Sequence, residues 1–457
     1  MCKYFSTLFY LIVFISHFLL YNILAATSSA GSPDIPNKDI IEKYHAILLQ
    51  DPSNVSAHFN LGILYYKNAL YDEAIREFNK VLEINPNDFD AYYNLGNIYN
   101  KKNLFDNAIQ AYKKALTINL KDAETFHNLG NAYANKGMID EAISSYMRAI
   151  EINPNLAESY KNIAYLYVKK GKFSESASSF EKATNLNPQD PIMLFDLATT
   201  YESNKSEDRA ILTYQRVLAL DPAHKEAKNR LAMLYNNKGV SLAMQGKRDE
   251  AVVAYKEAIK IRKDFKEVYN NLGAVYVDKG MLHEAIAVYQ KAIEISPNFA
   301  EAYNNLGVAY TKNKSYDEAI GVFKKTLSLN KKHAGAHFNL GVVYTEKGMP
   351  SEAEKEYSEV LQINPHDLSA LYNRSILHLN NNNVNAAISD LKSLLGNDPH
   401  SALAHYKLGD IYKKQGLIDE AVLEYKRALE TSPEFKEALD GLEDAYRLKE
   451  KKVKQHR

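Results

Sequence analysis

Residues 269–280 read YNNLGAVYVDKG, and the first five letters return at residues 303–307, 34 positions later. A fixed period of this length marks a unit that cannot bury its apolar side alone and stacks on copies of itself. Stepping by 34 from Gly62 reaches Gly96, Gly130, Ala164 and Ala198, and a second series runs through Gly239, Gly273, Gly307, Gly341, Ser375 and Gly409. Eleven units follow from these eleven small residues. If each is counted as position 8 of its unit, position 20 is Ala throughout except at Ser176, and position 24 is Tyr or Phe except at Leu391. Position 32 is Pro in eight units, with Leu120, Lys263 and Lys331 as the exceptions.

Each unit is predicted to be a helical hairpin. Tyr269, Leu272, Gly273 and Tyr276 have helical spacing, and Gly280 suits the left-handed residue that ends a helix. An Asp, Ser or Asn at position 18, such as Asp106 or Asp317, is expected to cap a second helix. The Pro at position 32 stops it. Small residues at 8 and 20 then let two backbones approach closely while aromatic rings fill the remaining gap.

Small residues at 8 and 20, aromatics at 11 and 24 and Pro at 32, repeated from about residue 55 to 435, resemble the tetratricopeptide repeat family. The resemblance implies an all-α, right-handed superhelical solenoid of about eleven hairpins with capping helices. Its first helices would line a concave groove that grips segments of other proteins. Asp39 to Pro52 has Tyr44 and Pro52 in phase with positions 24 and 32, so it reads as a lone second helix. Residues 436–457 read as a lone first helix with a basic tail, RLKEKKVKQHR.

The rhythm breaks once. Leu231, Ala232 and Tyr235 arrive on schedule, whereas Gly246, Asp249 and Ala251 arrive seven residues late. Seven residues are about two turns less roughly 20°, so the first helix of this unit should lengthen by about 10 Å with its packed face almost unrotated. Val240, Leu242 and Met244 would then project as a partner-docking or self-association surface, unless the neighbouring unit covers them. The break separates a five-unit array over 39–224 from a six-unit array over 225–435.

The N-terminus is different material. Tyr4 to Ala26 carries no Asp, Glu, Lys or Arg and as a helix would reach roughly 35 Å, enough for a bilayer. Residues 1–30 are therefore expected to be a cleaved signal peptide or a retained transmembrane anchor, and 31–38 a linker. Lys3 and the terminal amine precede the segment and Lys38 is the next cation, which predicts an array on the extracytoplasmic side. Asn54, Asn204, Asn313 and Asn373 head N-x-[ST] triplets, which matter only where a glycosylating lumen meets an exposed site.

Formal net charge is zero, which recommends neither nucleic acid nor anionic lipid as a ligand of the whole chain. Cys2 is the single cysteine, so no disulfide framework, thiolate metal site or cysteine nucleophile is expected in the array. Gly171-Lys172 and Gly246-Lys247 lie outside any phosphate-binding motif, and His283-Glu284 lacks the second His of a zinc helix. His58, His337 and His405 at position 4 read as core or rim residues. No cofactor, metal or catalytic residue is assigned, and the chain reads as a non-enzyme.

What the pattern does assign is a row at position 6: Asn60, Asn94, Asn128, Asn162, Asn237, Asn271, Asn305, Asn339 and Asn373, interrupted by Asp196 and ended by Lys407. Two residues before position 8, it lies about 200° around the first helix from the small contact residue. A carboxamide both donates and accepts, so the row suits the backbone of an extended peptide, with position 5 aromatics such as Phe59, Tyr93 and Phe338 as apolar anchors. The row is similar to the ladder in the repeat arrays of O-linked N-acetylglucosamine transferases, although no transferase domain follows. Position 2 lacks the Lys and Arg with which carboxylate-clamp co-chaperones hold acidic tails. Two functions are expected from this: an interaction scaffold that binds an extended or helical segment of a partner, or the substrate-recruiting subunit of a glycosyltransferase or envelope-assembly complex.

Overall fold

The computed structural model describes residues 36–455, so the apolar segment Tyr4–Ala26 lies outside the described residues. Every regular element among them is an α-helix, 24 in all. The chain divides into two compact bodies at Ala223/His224.

The first body begins with the lone helix Lys38–Gln50 and continues with five hairpins: Val55–Lys67 with Tyr71–Ile84, Phe89–Lys101 with Phe105–Ile118, Ala123–Asn135 with Ile139–Ile152, Ala157–Lys169 with Phe173–Leu186, and Pro191–Ser203 with Glu207–Leu220. The second body has six: Lys225–Met244 with Arg248–Ile261, Lys266–Asp278 with Leu282–Ile295, Ala300–Lys312 with Tyr316–Leu329, Ala334–Glu346 with Pro350–Ile363, Leu368–Asn380 with Val384–Asn397, and Ala402–Lys414 with Ile418–Thr431. The helix Lys436–Gln455 ends it. The eleven hairpins are those of the 34-residue period.

Local chemistry explains the boundaries. Asp88, Asp122, Asp190 and Asp367 precede first helices and accept the N–H three residues on. The turn inside each hairpin needs one left-handed residue, supplied by Gly137, Gly171, Gly246, Gly280, Gly348 and Gly416. Ala69, Asn103, Lys205, Lys314 and Asn382 take the same conformation elsewhere, at some backbone cost. The first helix of the sixth hairpin runs for 20 residues against 13 in its neighbours, the lengthening expected from the late Gly246. Val240 and Met244 are exposed on it, but Leu242 is not. Its side chain packs against the cluster around Tyr255 and Ala251, because the extra turns still present one face to the second helix.

The small residue at position 8 serves a more specific purpose than backbone approach. A Cβ built on Gly96 would meet Tyr112 Cε1 at 2.4 Å, and one on Gly273 would meet Tyr289 Cε1 at 2.5 Å. The ring at position 24 of the same hairpin thus occupies the space of the missing side chain. Tyr112, Tyr146, Tyr289, Tyr425, Phe78 and Phe323 are all fully buried in this way.

Position 18 does not cap. The second helices begin with position 16 as the flanking residue, Leu104 or Ser315 for example, and no side-chain cap bond forms there. Position 18 sits inside the first turn, where an Asp is favoured by the exposed N–H groups. Its carboxylate reaches the neighbouring hairpin instead. Lys102 pairs with Asp72, Lys136 with Asp106, Lys170 with Asp140, Lys279 with Asp249, Lys347 with Asp317 and Lys449 with Asp419, each Lys standing 30 residues after its Asp.

Candidate functional site

The nine asparagines of the row fall into three groups. Five of them bond across the seam to the preceding hairpin. Asn271 Nδ2 donates to Asn236 Oδ1 at 3.0 Å, Asn305 to Asn270 at 3.0 Å, and Asn339 to Asn304 at 3.2 Å. In the first body, Asn128 donates to Tyr93 Oη at 3.1 Å and Asn97 Oδ1 at 3.3 Å, and Asn162 to Asn131 Oδ1 at 3.2 Å and Tyr146 Oη at 3.3 Å. Asn94 and Asn373 instead donate back to Asp90 O at 2.7 Å and Ser369 O at 2.8 Å in their own helices. Asn60 is half-buried and Asn237 exposed, and neither makes a side-chain hydrogen bond among the described residues.

This geometry explains the doubled asparagine of YNNLG. Asn271 reaches back to Asn236, while its neighbour Asn270, 5% exposed, accepts from Asn305 of the next hairpin. Position 5 is thus the acceptor and position 6 the donor of one amide-to-amide chain. Sequence reasoning singled out the amides of position 6 and read position 5 only for its aromatics, although the doublets Asn236-Asn237, Asn270-Asn271 and Asn304-Asn305 carried the signal.

A second overlooked position is 9. Tyr112 Oη donates to Asn97 Oδ1 at 2.7 Å, and Tyr146 Oη to Asn131 Oδ1 at 2.6 Å. Each of these oxygens also accepts from the next hairpin's row asparagine. The buried ring, the position 9 amide and the row amide therefore form one network at each of these two seams, and burial pushes both phenol pKa values well above the ordinary tyrosine range.

The nitrogen of each bridging amide donates to the preceding hairpin. Among the described residues no donor reaches Oδ1 of Asn128, Asn162, Asn271 or Asn339, so these oxygens retain accepting capacity. In the first body the amides line an open cleft of about 410 Å³ bounded by Asn100, Asn131, Asn135, Asn162, Tyr165 and Lys169. Where the row changes to Asp196, Tyr165 Oη donates to its carboxylate, and burial raises the pKa of Asp196. A larger cleft, about 880 Å³ over Leu82, Tyr92, Leu95 and Tyr99, includes no residue of the row.

Position 5 aromatics are partly consumed by packing. Phe59 lies 5.5 Å from Phe78, Tyr93 6.3 Å from Tyr112, and Phe338 5.9 Å from Tyr357, ring centre to ring centre. The position 4 histidines are buried, each held at both ring nitrogens. His58 meets Glu77 at 2.6 Å and Pro52 O at 3.1 Å, and His337 and His405 repeat the arrangement with Glu356 and Glu424. Among the described residues no cluster of His, Cys, Asp and Glu is arranged to hold a metal ion, and no helix is long and apolar enough to cross a membrane.

Comparison with known proteins agrees with the period. A family profile described as the Cilia and flagella-associated protein 70 C-terminal domain matches residues 41–243. Profiles described as TPR repeat match 241–280 and 275–314, and others described as Tetratricopeptide repeat match 300–333, 334–367 and 372–434. The Photosystem I assembly protein Ycf3 of Prochlorococcus marinus is 31% identical over 68 residues, 15% of this chain. The chain spans 39% of that relative's length. Among solved structures, MamA is 27% identical over 36% of this chain and 96% of its own, with a TM-score of 0.34. YrrB, titled a TPR protein with an unusual peptide-binding site, is 25% identical over 41% of this chain and 96% of its own, with a TM-score of 0.36.

Proposed function

We propose that this chain, which belongs to the tetratricopeptide repeat family, is a non-enzymatic scaffold that holds an extended segment of a partner protein along its asparagine row. One observation carries the reading: row amides are oriented by bonds to the preceding hairpin while their oxygens keep room for a donor. An extended peptide offers backbone N–H groups at regular intervals, so such a row recognises backbone more than side chains. The cleft bounded by Asn131 and Asn162 gives this part of the row about 410 Å³ of open space. We further propose that the apolar segment Tyr4–Ala26 carries the array to the extracytoplasmic side of a membrane.

A photo-crosslinking residue at Ala134, inside the cleft, and another at exposed Lys182, on a second helix, test the first part. Ala134 should capture a defined partner segment and Lys182 should not. Affinity for that segment should then fall by about 1 kcal/mol for each of Asn128→Ala and Asn162→Ala, the worth of one hydrogen bond. Crosslinks from Lys182 alone, or unchanged affinity in both variants, would remove the row from the reading. Protease protection of a C-terminal tag in sealed vesicles tests the location independently.

A further inference from the structure

Ten seams join a hairpin to the next hairpin or to the final helix within the two bodies, and six of them carry the Asp–Lys pair described above. At the other four, both partners are changed together. Ser174 is followed by Asn204, His283 by Asn313, Ser351 by Asn381 and Asn385 by Gln415, each at the same 30-residue separation. In none of the ten does an Asp at position 18 stand without the Lys, or the Lys without the Asp.

We propose that positions 18 and 14 form a seam code that decides which hairpin each hairpin accepts as its successor. Helices of near-identical sequence, repeated at 34 residues, offer many alternative stackings of almost the same apolar fit, and YNNLG itself occurs twice. Apolar packing alone separates these poorly, whereas a charge left alone at a seam penalises the wrong one. Hairpin three, with Asp140, fits Lys170 of hairpin four; stacked on hairpin five it would face Asn204. Hairpin seven, with His283, fits Asn313; stacked on hairpin nine it would strand Lys347. The Asp side chains are 70–89% exposed and the Lys side chains 25–51%, so each pair is modest in strength and discrimination comes from their number and order.

The code is tested by writing it into a neutral seam of the full chain. Ser351→Asp, Asn381→Lys and the double variant are compared by hydrogen exchange of the amides in Pro350–Ile363 and Leu368–Asn380. The double variant should exceed the product of the two single effects by about two-fold in protection at low salt, the size expected of a partly exposed pair. The excess should vanish near ~1 M salt, where the Debye length is about 3 Å. In the reverse experiment Asp317→Lys should lower protection of Ala334–Glu346, and adding Lys347→Asp should recover part of it, since a Lys in the first turn still opposes the helix dipole. A double variant at Ser351 and Asn381 that equals the product of its singles at low salt would overturn the proposal. So would a reversal at Asp317 that its partner change does not improve.

Discussion

Replacing Gly96 by Ala isolates the ring-on-glycine contact found in eight of the eleven hairpins. The added Cβ would lie 2.4 Å from Cε1, 2.5 Å from Cδ1 and 2.9 Å from Cζ of Tyr112, against about 3.5–4.0 Å for carbon atoms at rest. The ring must therefore retreat by about 1 Å from a position in which it is 1% exposed. Retreat also stretches the 2.7 Å bond from Tyr112 Oη to Asn97. Overpacking of this kind costs about 1–3 kcal/mol, and the better helix propensity of Ala returns about 1 kcal/mol. The expected net loss is about 1–2 kcal/mol. It is not larger because the chain builds two hairpins with a methyl group at this position, Ala164 beside Phe180 and Ala198 beside Tyr214.

Gly321→Ala provides the control. It lies inside the helix Tyr316–Leu329 with nothing within 4 Å of its would-be Cβ, so the same substitution should stabilise by about 0.5–1 kcal/mol. Urea unfolding together with hydrogen exchange of Phe89–Lys101 and Phe105–Ile118 would measure both changes. If Gly96→Ala proves as stable as Gly321→Ala, the ring-on-glycine contact does not constrain the hairpin and the reasoning fails.

Three further outcomes are expected. Tyr289→Ala should cost about 3–5 kcal/mol in unfolding free energy by opening a cavity at a ring that is 2% exposed, while Asn271→Ala should cost only about 1 kcal/mol for its bond to Asn236. Arg374, at a position where most hairpins bury Leu or Ile, makes two bonds to the buried Asp390, at 2.9 and 2.7 Å. Chemical denaturation of Asp390→Ala should reveal a loss of about 3–5 kcal/mol, with Arg374→Leu in the same chain restoring most of it. Stability should also fall in alkali. Burial, aided by the Glu124 carboxylate, pushes the Tyr93 phenol up to about 12, and burial pushes Tyr255 to about 12. Both folded values lie above the ordinary ~10, so their contribution is complete below pH ~10 and is lost as pH rises through about 12. Unfolding midpoints that stay constant across that window at fixed ionic strength would contradict the assignment.

The hairpins were legible because their signals are local. Gly273 and Tyr289, Gly280 and the prolines at position 32 belong to one unit, and helical spacing with turn chemistry locates them without reference to any neighbour. The same logic carried the seven-residue lengthening, since the delay of Gly246 and Ala251 is measured along the chain. It went wrong for Asp106 and Asp317, because a carboxylate near a helix start suits both a cap and a first-turn residue, and propensity does not distinguish them by one turn.

By itself, then, the sequence determined the period, the hairpin, the size of each contact residue and the presence of an amide row. Tertiary structure decided what the amides touch. Asn305 meets Asn270 and Lys347 meets Asp317 only because two hairpins lie side by side at one particular offset. Partners 30 to 35 residues apart leave no helical or strand periodicity between them. Their pairing depends on the stacking distance and rotation of whole units, which packing sets and no single helix encodes.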